Sequence, residues 1–146
     1  PAPVPCGLLP DVLFQVDLIC PNETEARRLT QVHDESLESM QRAAEKLRQR
    51  GARVIAITLG KQGTLVFDGT NVQRVESIAI DAVDTTGAGD AFAGALAVRW
   101  SETQDLISSV RWANIAGALA ASRLGAQTGI ALRADIESCW AREQAT

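Results

Sequence analysis

The run Arg53-Val54-Ile55-Ala56-Ile57-Thr58-Leu59, bounded by Gly51 and Gly60, most restricts what this chain can become. A strand with one wet face alternates apolar and polar residues. This run does not, so it predicts a central strand buried on both faces, as in a parallel sheet. Its neighbours supply the covering layers. Ser36 to Arg50 places Leu37, Met40, Ala44 and Leu47 on one helical face and stops at Gly51, while Glu38, Arg42, Glu45, Lys46 and Arg48 form a solvated face. Upstream, Val16–Cys20 reads as a short strand stopped by Pro21. Asn22 then opens a helix as N-cap, with Glu25 three residues on, as in a capping box. Downstream, Gly63–Phe67 is a second strand closed by the Asp68-Gly69 turn, and Val72–Val75 and Ile78–Ile80 are shorter strand candidates. Ala91–Trp100 and Asp105–Leu124 read as helices, the latter apolar over most of its circumference. Arg133–Arg142 is a last amphipathic helix. Strands alternating with helices imply an α/β layered fold, and 146 residues suffice for about one domain.

Composition narrows the function classes. Fourteen basic against eighteen acidic residues leave a charge of −4, and aromatics are 4% with no Tyr, so the chain lacks both the field and the stacking rings of a nucleic-acid binder. No apolar run approaches the roughly 20 residues of a membrane span. Pro1–Pro10 has neither the basic start nor the apolar core of a signal peptide, and Pro1-Ala2-Pro3-Val4-Pro5 reads as an extended lead-in. Cys6, Cys20 and Cys139 are expected to be reduced thiols of a cytoplasmic protein, and a lone His33 without a nearby Cys pair argues against zinc. His33 is expected in a surface loop, and Trp100, Trp112 and Trp140 in packing roles.

The segment most able to carry chemistry is Asp84-Thr85-Thr86-Gly87-Ala88-Gly89-Asp90. Glycines before a helix allow positive φ and turn N–H groups toward one point, and the helix N-terminus adds unpaired donors and a positive dipole end. Together they make an anion hole with Asp90 at its mouth. A carboxylate there can take a proton from a hydroxyl while the N–H groups hold a transferring phosphoryl. The competing reading is a glycine-rich N-cap in which Asp90 merely complements the dipole.

Asp84–Asp90, followed by Phe92 and a small-residue helix, resembles the second signature of the ribokinase-like (PfkB) carbohydrate kinases. Three further segments resemble that family in the same order. Asn22-Glu23-Thr24-Glu25 is similar to its Asn-x-x-Glu motif. Thr58-Leu59-Gly60-Lys61-Gln62-Gly63 is similar to its nucleotide loop. Gly125-Ala126-Gln127 is similar to a loop beside its monovalent-cation site. The resemblance covers nearly the whole chain and implies a ribokinase-like layered sheet flanked by helices, of which this chain is the C-terminal, nucleotide-binding portion. The family's N-terminal sugar-binding half and lid are absent.

The resemblance implies roles. Asp90 is the catalytic base and contacts the sugar hydroxyl. Gly87, Ala88 and Gly89 form the anion hole. Asn22, Thr58, Gly60, Gly63 and Asn114 bind ATP, with Asn114 against adenine. Glu25 orients hydrated Mg²⁺, which keeps several waters and takes few carboxylates. Asp84 and the Thr86 carbonyl hold a K⁺-like ion. Bland readings stand beside these: a capping box for Asn22 and Glu25, a turn residue for Asp84, a hairpin turn for Gly60 and Gly63, a buried amide on backbone for Asn114. Gly129 departs from the family, where Ser often stands, which weakens the expected potassium dependence. The implied activity is ATP-dependent phosphorylation of a pentose primary hydroxyl, most directly D-ribose to ribose 5-phosphate, with homodimerisation of the intact protein. The alternatives are another family substrate (deoxyribose, fructose, a nucleoside) or a non-catalytic nucleotide-binding fragment. A dinucleotide-binding domain is disfavoured because no GxGxxG follows an early strand.

Overall fold

The apolar run does form a buried strand. A computed structural model describes residues 9–34 and 36–145. In chain order the elements are β1 (Leu18–Ile19), α1 (Glu23–Thr30), α2 (Leu37–Gln49), β2 (Val54–Thr58), β3 (Thr64–Phe67), β4 (Val72–Val75), α3 (Ala88–Thr103), α4 (Leu106–Ala121) and α5 (Arg133–Gln144). The strands form a sheet of order β1-β2-β3-β4. β1 pairs with β2 in parallel, Leu18 opposite Val54, whereas β2 pairs with β3 antiparallel, from Ile55 opposite Phe67 to Thr58 opposite Thr64. Burial on both faces is thus found in a sheet with one parallel and one antiparallel neighbour of β2. The connection from Thr58 to Thr64 is too short for a crossover, so one neighbour must run antiparallel.

The described chain divides into two compact units. The first holds the residues up to Leu59 together with Thr64–Arg74, and the second holds Gly60–Gly63 and everything from Val75 onward. In the first, Ile55, Ile57 and Leu65 of the sheet meet Met40, Ala43, Ala44 and Leu47 of α2, and Phe14 and Ala26 complete the core. Both helices start on side-chain caps, Asn22 accepting from the Glu25 N–H and Ser36 from the Ser39 N–H. Arg50 ties the segment before β1 to this core. Its guanidinium bonds Asp11 at 2.7 Å, the Leu29 carbonyl at 3.0 Å and the Leu9 carbonyl, and stacks 3.8 Å from the Phe14 ring centroid.

In the second unit α3 packs along α4, and α4 against α5, around Trp112, Ile115, Ala116, Ile136 and Cys139. Trp112 and Trp140 lie 5.7 Å apart at a tilt, and Trp100 is half-buried, so two of the three rings serve packing as expected. Ile78–Ile80 is not a strand: Ile78 instead buries its side chain against the Trp112–Ile136 cluster, within an irregular connection. α3 begins at Ala88, three residues before the predicted start, which moves Asp90 into its first turn. His33 is exposed in a loop, and Cys20 and Cys139 are free thiols. The proline lead-in and Cys6 lie outside the described residues. Among the described residues no helix is long and apolar enough to cross a membrane.

Ile57 is wholly buried in β2. Ile57→Ala is expected to lower unfolding free energy by about 2–5 kcal/mol through lost transfer energy and a residual cavity, read from a urea titration.

Candidate active site

The candidate residues fall in both units, and each unit assembles its own share. In the first, β1 and β2 run parallel and their C-terminal ends bring Asn22 and Thr58 side by side. The two form a bridge, with the Thr58 N–H donating to the Pro21 carbonyl at 3.0 Å. Such strand ends are where open α/β sheets bind ligands. Asn22 and Glu25 close a reciprocal capping box. The Asn22 N–H donates to Glu25 Oε2 at 2.9 Å, and the Glu25 N–H donates to Asn22 Oδ1 at 2.9 Å. The bland reading of this pair is therefore real. It uses one carboxylate oxygen and the amide oxygen, and leaves the second Glu25 oxygen and the Asn22 NH₂ donors outside the cap.

In the second unit the glycine segment makes a tight bend. Gly87 caps α3 at φ 81°, left-handed backbone that a side chain would strain, and a Cβ there would lie 2.9 Å from the Ala126 carbonyl oxygen. On the far side, Gly117 of α4 lets the N-terminus of α3 come close, since a Cβ at 117 would lie 3.2 Å from the Ala88 carbonyl oxygen. The Ala88 N–H donates to the Thr85 carbonyl at 3.2 Å. That bond belongs to the turn itself. The Gly87 and Gly89 N–H groups donate to no acceptor among the described residues, as a helix N-terminus requires. Asp90 is exposed beside them, with no hydrogen-bond or ion-pair partner among the described residues. It borders a cleft of about 350 Å³ whose other walls include Gly94, Ala95, Trp112 and Ile136. That lining is largely apolar and does not suit a polyhydroxylated ligand.

Asp84 fixes the bend. Its Oδ1 accepts from the Thr86 N–H at 2.9 Å and its Oδ2 from the Gly125 N–H at 3.0 Å, across 41 positions of sequence. Bonds from the Thr86 hydroxyl and N–H, then from the Gly125 N–H, hold the carboxyl below its ordinary 3.8, so it stays anionic. The residue-125 loop closes through the Gly129 N–H to the Gly125 carbonyl at 2.7 Å, and a Cβ at 129 would lie 2.6 Å from that same oxygen. The turn as it stands admits only glycine there, so the missing Ser is a feature of the backbone as well as of the donor set.

Gly60–Gly63 closes with the Gly63 N–H on the Gly60 carbonyl at 3.0 Å. Asn114 is buried, and its amide nitrogen donates to the Val75 and Glu76 carbonyls, both at 3.1 Å. Burial pushes the Cys20 thiol up to about 12, which keeps it protonated and unreactive.

Residues 1–132 match the profile of the pfkB family carbohydrate kinases. The chain belongs to that family. It is 37% identical to ribokinase of Staphylococcus aureus over 136 residues, 92% of this chain and 45% of that protein. The structure of Arabidopsis thaliana ribokinase with ribose and ATP superposes with a TM-score of 0.83 at 32% identity, covering 90% of this chain and 43% of that one. A putative ribokinase II from E. coli in complex with ATP and Mg²⁺ gives 0.78 at 30% identity, over 90% of this chain and 41% of that one. Phosphofructokinase-2 from Escherichia coli in complex with potassium gives 0.80 at 26% identity, over 90% and 42%. PfkB homologues thus bind ATP, Mg²⁺ and K⁺, and this chain spans less than half the length of the relatives it matches. The sheet and its helices match part of the ribokinase fold. Sequence reading missed Gly117 and Ala126 as supports of the bend. A glycine inside an otherwise apolar helix was the available signal for the first.

Because the Asp84 carboxyl is depressed on folding, its stabilising contribution is complete above the ordinary carboxylate range and is lost as pH falls through the folded value. The stability gap between the wild type and Asp84→Asn is therefore expected to be widest near neutrality and to close below about pH 4. Urea unfolding from pH 7 to pH 3 measures it.

Proposed function

We propose that the protein containing this chain is a cytoplasmic, ATP-dependent sugar kinase. It transfers the γ-phosphate to the primary hydroxyl of a pentose, D-ribose to ribose 5-phosphate above other substrates. This chain supplies the C-terminal, nucleotide-binding part of a single ribokinase-like domain. The observation that carries the reading is the exposed, unpartnered Asp90 carboxylate beside the orphan Gly87 and Gly89 N–H groups. Family membership and the ribokinases among the relatives support the reaction and the sugar.

In the proposed step Asp90 accepts the proton of the sugar hydroxyl as its oxygen bonds the γ-phosphorus. The bond between that phosphorus and the β–γ bridging oxygen breaks, and ADP leaves. The Gly87 and Gly89 N–H groups hold charge on the transferring phosphoryl, and the α3 dipole adds to them. Asn22 offers its NH₂ to the phosphates, and Thr58, Gly60 and Gly63 form the nucleotide-binding edge. The donor chemistry fits two cations. Glu25 would hold magnesium through water with the oxygen its cap does not use, and anionic Asp84 with the Thr86 carbonyl would hold a monovalent ion. When bound, these ions offset phosphate charge and stiffen the bend.

Asp90→Asn is expected to cut ATP-dependent sugar phosphorylation by roughly 10²–10⁴-fold while ATP affinity stays near the wild-type value. A rate near wild type sinks the catalytic assignment. A wild-type protein that binds ATP yet phosphorylates none of ribose, deoxyribose, fructose or nucleosides is instead a nucleotide-binding module.

A further inference from the structure

The Gly60–Gly63 loop lies between β2 and β3 in the chain, yet it groups with the second unit. The contact that places it there is close. A Cβ on Gly63 would overlap the Val75 carbonyl oxygen and lie 2.7 Å from the Ser77 nitrogen and 2.8 Å from the Glu76 carbonyl carbon. The Gly63 end of the loop rests backbone on backbone against residues 75–77, so the position of that segment constrains where the loop re-enters the sheet.

Val75 ends β4, and Glu76 and Ser77 enter an irregular connection outside the strand. The Asn114 amide nitrogen reaches from α4 to the Val75 and Glu76 carbonyls, 39 and 38 residues away, both at 3.1 Å. Asn114 is buried in α4, flanked by Ala113 and Ile115. A buried amide that donates twice to one short segment is a strong fixture, because removing it takes two hydrogen bonds from that segment.

We propose that Asn114 is a positioning residue for the Gly60–Gly63 loop, acting through the backbone of Val75–Ser77. It sets nucleotide affinity by holding that loop in its binding shape before the nucleotide arrives. The proposal rests on the reading of Gly60–Gly63 as a nucleotide loop only for its functional consequence, and the mechanical link stands on the contacts themselves.

Hydrogen exchange of the nucleotide-free whole protein separates the two. Asn114→Ala is expected to speed amide exchange at residues 60–63 and 75–77 about tenfold, with helices α3 and α5 unchanged, and to weaken MgATP binding about tenfold by calorimetry. Unchanged exchange at 60–63 overturns the proposal, and a loss of ATP affinity on that background marks Asn114 as a direct base contact. Faster exchange in a protein whose wild type binds no MgATP upholds the link and refutes the nucleotide reading. Should Asn114→Ala not fold, Gly63→Ala reads the same contact from its other side. Faster exchange at 75–77 supports the link, and unaltered exchange there refutes it.

Discussion

One carboxylate joins the parts on which the second unit's site depends. Asp84 accepts the N–H of Thr86 with one oxygen and that of Gly125 with the other. The first bond folds the chain back just before α3, and the second attaches the bend to a loop that follows α4. The Val83 and Asp84 N–H groups both reach the Ala121 carbonyl at the end of α4, at 2.8 and 3.0 Å, so the whole segment is anchored from the same quarter. With the entry fixed, α3 starts at Ala88, and the Gly87 and Gly89 N–H groups stay without acceptors among the described residues, next to Asp90 in the chain. The small residues around it follow from this geometry. Gly87 lies under the Ala126 backbone and Gly117 under the Ala88 carbonyl, where side chains would force the bend and the two helices apart.

Three acidic residues show how environment divides labour. Asp84 is committed to backbone amides and is thereby kept ionised. Glu25 gives one oxygen to the Asn22 N–H and keeps the other. Asp90 has no partner among the described residues, which leaves its lone pairs open to solvent. The same functional group serves as staple, as half-used cap and as exposed acceptor, according to how many N–H donors surround it.

What could be read from the residues was what depends on near neighbours. The β2 run, the α2 face and the capping box rest on spacings of one to four residues, and they formed as expected except that Leu37, in the first turn of α2, is exposed and outside the buried face. The errors have a common origin in distant contacts. Ile78–Ile80 has the composition of a strand, but the Trp112–Ile136 cluster takes Ile78 instead. The α3 start depends on a bend held from Gly125, 41 positions later than Asp84. A buried amide bonding backbone is one of the two readings the sequence allows for Asn114, but the two carbonyls it meets lie 38 and 39 positions away, beyond any local spacing.

The reciprocal bonds of Asn22 and Glu25 have a further consequence. The pair stabilises the first turn of α1 whether or not any phosphate or cation is near, since both contacts are intramolecular and local. A descendant chain that had lost every trace of phosphoryl transfer would still be selected to retain both side chains for the helix they start. Survival of that motif in a distant relative therefore testifies to an intact first turn of α1, whatever that relative does.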